Sequence, residues 1–258
     1  MPVLKLVLAY DGTGFRGFAR QPGQRTVQGT LEGALAPLLG TAPVISVAGR
    51  TDAGVHATGQ VVSFRAEAEP ARLRRSLNAL VGPEIAVVDA RVAPEGFDAR
   101  RSATAREYTY SVRSAETPDP FTARYVWHRP GDYRLTAMRR AARLLEGEHD
   151  FASFCRRPKD GGSTVRVLQR LTCRRDGEAI EIRARADGFL HQMVRSLAGT
   201  LFAVGEGRMD PEEMPVVLRA RSRSAAGPVA PPHGLVLTAV RYGAYRRPRV
   251  SSHAPGVR

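Results

Sequence analysis

Twice along its 258 residues the sequence runs strand, helix, strand, strand, helix, strand, and this repeated order restricts the fold more than any other feature. Val3 to Tyr10 alternates as a strand. Thr26 to Leu39 follows as an amphipathic helix with Leu31, Ala34, Leu35 and Leu38 on one face and Gly40 to end it. Strands over Val44 to Val47 and Gln60 to Arg65 come next, then a helix over Pro70 to Leu80 with proline in its first turn, then a strand over Ile85 to Val92. The second pass has a strand over Glu107 to Val112, a helix over Leu135 to Leu145, and strands over Val165 to Cys173 and Ala179 to Ala184. A helix over Phe189 to Val204 and a strand over Leu235 to Tyr242 complete it, with an added helix over Pro211 to Leu218 interrupting the pattern. Two split β-α-β units in tandem predict an α+β chain of two ferredoxin-like (βαββαβ) halves, each an antiparallel sheet covered by helices on one face, with a central cleft. The expected units are residues 1–101 and 102–245, joined near 93–105. Residues 246–258 form a basic tail without hydrophobic periodicity.

Charge narrows the partner. Lys and Arg number 39 against 25 Asp and Glu, a formal net charge of +14, which favours a polyanion and first of all a nucleic acid. Only Lys5 and Lys159 are lysines, so almost all of that charge sits on arginine, whose planar fork pairs with phosphate and stacks on bases. Codon bias accounts for arginine over lysine but not for the excess over acids. Cys155 and Cys173 are too few for a disulfide framework and lack the clustered partners of a zinc site, so no metal is expected. The first ten residues lack the long apolar run of a signal peptide, and no segment approaches the roughly 18 apolar residues of a membrane span. The chain reads as soluble and cytoplasmic, without a membrane partner.

Chemistry concentrates between the second and third strands, in Gly49-Arg50-Thr51-Asp52-Ala53-Gly54-Val55-His56. Its two glycines can take backbone angles closed to other residues, letting the segment bend and bring a ligand close to the main chain. Asp52 then either faces a cleft as a reacting carboxylate or hydrogen-bonds its own backbone in a turn. His56, a lone histidine after a glycine loop, reads as a structural hydrogen-bonding group rather than a proton carrier.

The string GRTDAGVHATGQV resembles the signature of the TruA family of tRNA pseudouridine synthases. The resemblance extends to Tyr10-Asp11-Gly12 with Arg20-Gln21, to Ser102 through Tyr110, to Phe189 through Gly199 and to Pro232 through Tyr242. It implies a homodimer that isomerises uridine to pseudouridine at positions 38, 39 and 40 of the tRNA anticodon arm, without a cofactor. It implies Asp52 as the nucleophile, attacking the sugar C1′ or the uracil C6 or else promoting elimination at the sugar, three routes the sequence does not separate. Each needs an ionised carboxylate, and in a water-poor cleft a fixed cation favours that form. Arg195, in Phe189-Leu190-His191-Gln192-Met193-Val194-Arg195, matches the family arginine that pairs with the aspartate, so the site would straddle both halves. Read alone, Arg195 is a surface arginine on a helix.

A uridine in a stacked helix must be swung out before either carbon is reached. The resemblance places Arg50 where it fills the vacated stack, although the residue serves equally as a phosphate contact. It places Tyr108 against the target base, a stack worth roughly 1 to 3 kcal/mol. Strand alternation puts Tyr110 on the same face, so either ring could stack while the other is core. Leu235 walls the uracil pocket on the same resemblance, or is simply a core leucine. Arg100, Arg101, Arg106, Arg156, Arg157, Arg219, Arg221 and Arg223 are the expected phosphate contacts. Gly17-Phe18-Ala19-Arg20-Gln21 departs from the family, which commonly has an aromatic followed by a polar residue there.

Two rivals remain. A non-catalytic RNA-binding protein on the same sheets keeps the arginines and tyrosines but does not need Asp52. A nucleoside or glycoside hydrolase usually needs a second carboxylate near the first, and the Asp52 loop has none.

Overall fold

A computed structural model describes residues 1–158 and 161–243; the expected tail at 246–258 and Lys159 lie outside them. In the first half, β1 (Val3–Tyr10) sends Leu4, Leu6, Leu8 and Tyr10 inward, the period-2 pattern of a half-buried strand. Helix α1 (Val27–Leu39) starts at Thr26, whose hydroxyl accepts the Gly29 N–H, and ends at Gly40 in the left-handed region, with Leu38 turned outward rather than into the core. Strand β2 is only Ser46–Val47, because Val44 is 94% exposed and pairs with nothing. Strand β3 (His56–Arg65) begins four residues earlier than its apolar pattern suggests. Helix α2 (Pro70–Val81) is capped by Glu69, which accepts the N–H groups of Ala71 and Arg72, and β4 (Ile85–Ala93) closes the half.

The second half contains β5 (Ala103–Arg113), α3 (Leu135–Leu145), β8 (Val165–Asp176), β9 (Ala179–Ala186), α4 (Met193–Gly205) and β10 (Leu235–Tyr242). Short insertions add β6 (Trp127–His128), β7 (Gly147–Asp150) and α5 (Met214–Ala220). Helix α4 is four residues shorter at its start than the apolar run suggests, because Gln192 takes φ 65° and begins the helix only at Met193.

Among the described residues the strands form one sheet in the order β4-β1-β3-β10-β5-β9-β8-β7, with β2 beside β3 and β6 beside β5. Each half keeps the order of a split β-α-β unit, β4-β1-β3-β2 and β10-β5-β9-β8. The halves merge where β10 runs parallel to β3, pairing Val236 with His56 and Leu237 with Ala57. That pairing, with Tyr10 of β1 opposite Ala57 on the other side, draws residues 56–59 into the strand. It also needs Gly59, because a Cβ there would stand 2.3 Å from the Thr238 carbonyl. The helices share one apolar core on one face, built from Leu6, Leu31, Leu77, Met138, Ile182 and Leu201 among others. On the opposite face Ala48, Val61 and Ala99 form a small cluster with Phe97 and Tyr242.

Helix α4 is the buried axis of the second half, and the 228–230 segment lies directly against it. A Cβ on Gly199 would meet the Pro228 carbonyl at 1.8 Å, so Gly199→Ala must push helix and segment apart. We expect a loss of about 1 to 3 kcal/mol or more, read as a lowered thermal unfolding midpoint by circular dichroism. Gly33→Ala, on the exposed side of α1 with nothing within 4 Å, is expected to hold or raise the midpoint by up to about 1 kcal/mol of stability. Equal midpoints for both variants would show that α4 is not packed this tightly.

Candidate active site

The loop between β2 and β3 turns back on itself over residues 48–55 and is pinned at several points. Phe18 donates its N–H to the Thr51 carbonyl at 3.0 Å, and Val55 donates to the Asp52 carbonyl at 3.2 Å. Gly54 takes φ 76°, with Pro232 close behind it, so a side chain there would be both strained and crowded. Gly49 does not use the left-handed region. Below the loop a buried polar network holds it: the Thr51 and Tyr10 hydroxyls are 2.8 Å apart, and the Gln60 amide donates to the Tyr10 oxygen and to the Gly49 carbonyl. Burial pushes the Tyr10 phenol up to about 12, more than its bonds to Thr51 and Gln60 lower it, so it stays neutral.

The loop presents Asp52 to a cleft of about 1520 Å³ at the seam between the halves. Its carboxylate is one-fifth exposed. Arg195, on the first turn of α4, reaches it from the other half, with Nη1 donating to Oδ2 at 3.2 Å. The same guanidinium donates through Nε to the Ala230 carbonyl at 2.7 Å, and the Ala230 N–H returns a bond to the Arg195 carbonyl. Arg195 is therefore held in a fixed pose, not free on a surface. On the other carboxylate oxygen, Nε2 of His191 lies 3.4 Å from Oδ1, a neighbour that sequence reasoning did not single out.

Tyr108 lines the cleft, nearly buried, with the half-buried Phe189 set edge-on at 5.2 Å. Tyr110, left open by strand alternation, lies in the core, with its hydroxyl donating to the Pro231 carbonyl and its ring edge-on to Trp127. Leu235, at the start of β10, lines the cleft and pairs across the sheet with Tyr110. Arg50 is exposed at the cleft wall and has no hydrogen-bond or ion-pair partner among the described residues. His56 is buried and both ring nitrogens are engaged: Nδ1 accepts the Gly12 N–H and Nε2 faces the Arg124 carbonyl. It works as a structural group behind the loop.

The cleft is basic. Eight arginines line it against Asp52 and Asp98. Arg106, however, is not the phosphate contact its position suggests. Its guanidinium donates to the carbonyls of Ala48, Arg100, Ala103 and Asp187, which joins the stem of the Asp52 loop to the second half. Arg157, Arg221 and Arg223 are likewise engaged, with the Arg221 carbonyl, the Asp150 carboxylate and the carbonyls of Ala226 and Gly227 respectively. Arg100, Arg156 and Arg219 are exposed with free guanidinium groups among the described residues.

Comparison with known proteins decides the family. A family model described as tRNA pseudouridine synthase matches residues 141–243. A tRNA pseudouridine synthase A from Agrobacterium fabrum is 43% identical over 247 residues, spanning 94% of this chain and 93% of its own length. Proteins of the same name from Allorhizobium ampelinum and Frankia casuarinae are 45% and 47% identical, spanning 94% and 93% of this chain and 95% and 89% of their own lengths. The chain belongs to the tRNA pseudouridine synthase family. Among solved structures, a chain titled as a Cbf5-Nop10-Gar1 complex overlaps at TM-score 0.31 and 12% identity, covering 77% of this chain and 54% of that one, too loosely to carry an argument. In the cleft the Asp52 carboxylate accepts a hydrogen bond from Arg195 Nη1 and has His191 Nε2 at 3.4 Å from its other oxygen. Cys155 and Cys173 are free, buried and away from it, and no group of three or more His, Cys, Asp or Glu fit for a metal occurs among the described residues. No helix among those residues is long and apolar enough to cross a membrane.

Proposed function

We propose that this protein isomerises uridine to pseudouridine at positions 38, 39 and 40 of the tRNA anticodon arm, with Asp52 as the nucleophile. The observation that carries the reading is the Asp52 carboxylate in a basic cleft, paired at 3.2 Å with an arginine from the other half of the chain. The reaction breaks the bond from ribose to N1, turns the base and rejoins it through C5. It consumes nothing and changes no oxidation state, so a carboxylate, its counter-ion and a shaped pocket can suffice without a cofactor. On this reading residues 1–101 supply the nucleophile and residues 102–245 supply its arginine, the stacking ring and the pocket wall.

The other roles follow from position. Tyr108 takes the face of the flipped uracil, braced edge-on by Phe189, and Leu235 closes the side of the pocket. Arg50, two residues before Asp52 and without a hydrogen-bond or ion-pair partner among the described residues, fills the gap left in the stack. Arg100 and Arg101, farther along the same cleft, take backbone phosphates. A homodimer working in the cytoplasm belongs to the same proposal, because a folded tRNA extends well beyond one cleft and a second copy adds basic surface.

The test is direct. Incubation with tRNA carrying 5-tritiated uridine is expected to release tritium to water, and mapping the modified nucleotides is expected to place pseudouridine at 38, 39 and 40. Release from other positions would keep the chemistry and remove the site assignment. No release from any tRNA would remove both.

A further inference from the structure

Once uracil has been rejoined to the sugar through C5, that carbon still carries its hydrogen. The C5–H bond must break: its electron pair forms the C5–C6 double bond, the former N1–C6 π pair returns to N1, and N1 takes up a proton. One proton leaves carbon and one arrives at nitrogen, so the step needs an acceptor near C5 but no outside reagent.

Resting on the reading above, we infer that His191 is the acceptor of the C5 proton, through Nε2. Nε2 lies 3.4 Å from Asp52 Oδ1, so a base close enough to react with Asp52 is within a few ångströms of the imidazole. The histidine is set by its backbone rather than by its ring. Its carbonyl accepts the Arg156 N–H, and Gln192 beside it takes φ 65°, a strained angle for a residue with a side chain. Neither ring nitrogen makes a hydrogen bond among the described residues. His56, His128 and His149 differ, since each faces a backbone carbonyl through Nε2. The His191 side chain is 48% exposed, so a proton taken there can pass to water, where the C5 hydrogen must end. The Asp52 carboxylate would stabilise the imidazolium while it lasts.

The other titratable groups lining the cleft fit the task less well. Burial, then the neighbouring Tyr10 and Asp52, push the Tyr108 phenol well above its ordinary value, so its oxygen keeps its proton and cannot take another near neutrality. Burial alone would raise the Asp98 carboxyl. The Arg101 N–H, the Ser46 side chain, the Arg100 N–H and the Arg101 charge outweigh it and hold Asp98 below the carboxylate range, a weak base already engaged. The lining arginines are cations with no lone pair to offer.

The experiment compares wild type, His191→Ala and His191→Gln on tRNA containing 5-protiated or 5-deuterated uridine, following pseudouridine formation. His191→Ala is expected to bind tRNA as wild type does and to turn over about 100-fold more slowly. Its rate should acquire a deuterium isotope effect as proton removal becomes limiting, and added imidazole should restore part of it. His191→Gln should stay slow, because an amide can contact Asp52 but cannot accept the proton. A wild-type rate in His191→Ala would overturn the assignment. So would recovery in His191→Gln, or a slow His191→Ala with neither isotope effect nor imidazole rescue, each of which makes the residue a positioning group. Loss of this inference leaves wild-type tritium release intact, whereas failure of the parent reading appears as no release from wild type at all.

Discussion

Asp52→Asn is expected to leave tRNA binding intact and to lower tritium release by at least about 10⁴-fold, the scale on which removal of a reacting group acts. Asparagine has the shape of aspartate and keeps an oxygen for the Arg195 donor at 3.2 Å, so the loop need not move. It lacks the charge and nucleophilicity that all three routes require. The arginines expected to meet phosphate lie elsewhere along the cleft, and removing a negative charge from a basic cleft should hold or tighten the affinity. Filter binding and tritium release on one preparation separate the two effects. Thermal unfolding of the same preparation guards against a trivial cause.

The same variant sorts the rival functions. A non-catalytic RNA-binding protein would show no release in wild type and no change in binding on substitution. A hydrolase would release free uracil instead of forming pseudouridine. Persistent tritium release from Asp52→Asn would take the nucleophile role from Asp52 even if the activity itself stood.

The doubled strand and helix order was legible because it rests on local periodicity. In β1 the apolar residues recur every second position, and in α1 Thr26 and Gly40 mark both ends by cap chemistry. The departures arise where distant parts of the chain meet. Residues 56–59 carry no alternating apolar pattern and are held as strand by distant partners, Tyr10 of β1 opposite Ala57 on one side and β10 on the other, with Gly59 admitting the close approach. The start of α4 moved because Gln192 takes a backbone angle that no composition rule assigns to glutamine. Within the site, Asp52 and Arg195 are 143 positions apart, and in the sequence only the motif resemblance joins these two partners of a 3.2 Å contact. The arginines divided in a way that sequence does not encode: Arg106 and Arg223 are consumed by carbonyls, while the guanidinium groups of Arg50 and Arg100 have no partner among the described residues. His191 stood inside the Phe189 to Arg195 match without a role there, because a lone histidine ahead of an apolar run is a common surface pattern.

Arg195→Leu is the second large effect, and its form distinguishes a counter-ion from a phosphate contact. Leucine removes the donor to Asp52 and the donor to the Ala230 carbonyl together. Turnover is expected to fall about 10²- to 10³-fold, the usual consequence of removing one fixed electrostatic partner from a reacting group. Arg195→Lys should fall between leucine and wild type, since an ammonium keeps the charge but lacks the planar fork that reaches both partners at once. If Arg195 acts on Asp52 alone, the slope of log Kd for tRNA against log salt concentration will match wild type. A phosphate contact would instead lower that slope by about 1 and weaken binding across all tRNAs, with turnover at saturation preserved. Because the Ala230 carbonyl loses its partner, both variants will also unfold at lower temperature, so the rates should be compared well below either midpoint. There, a fall in turnover with an unchanged salt slope is what a guanidinium serving the nucleophile, and not the RNA backbone, must produce.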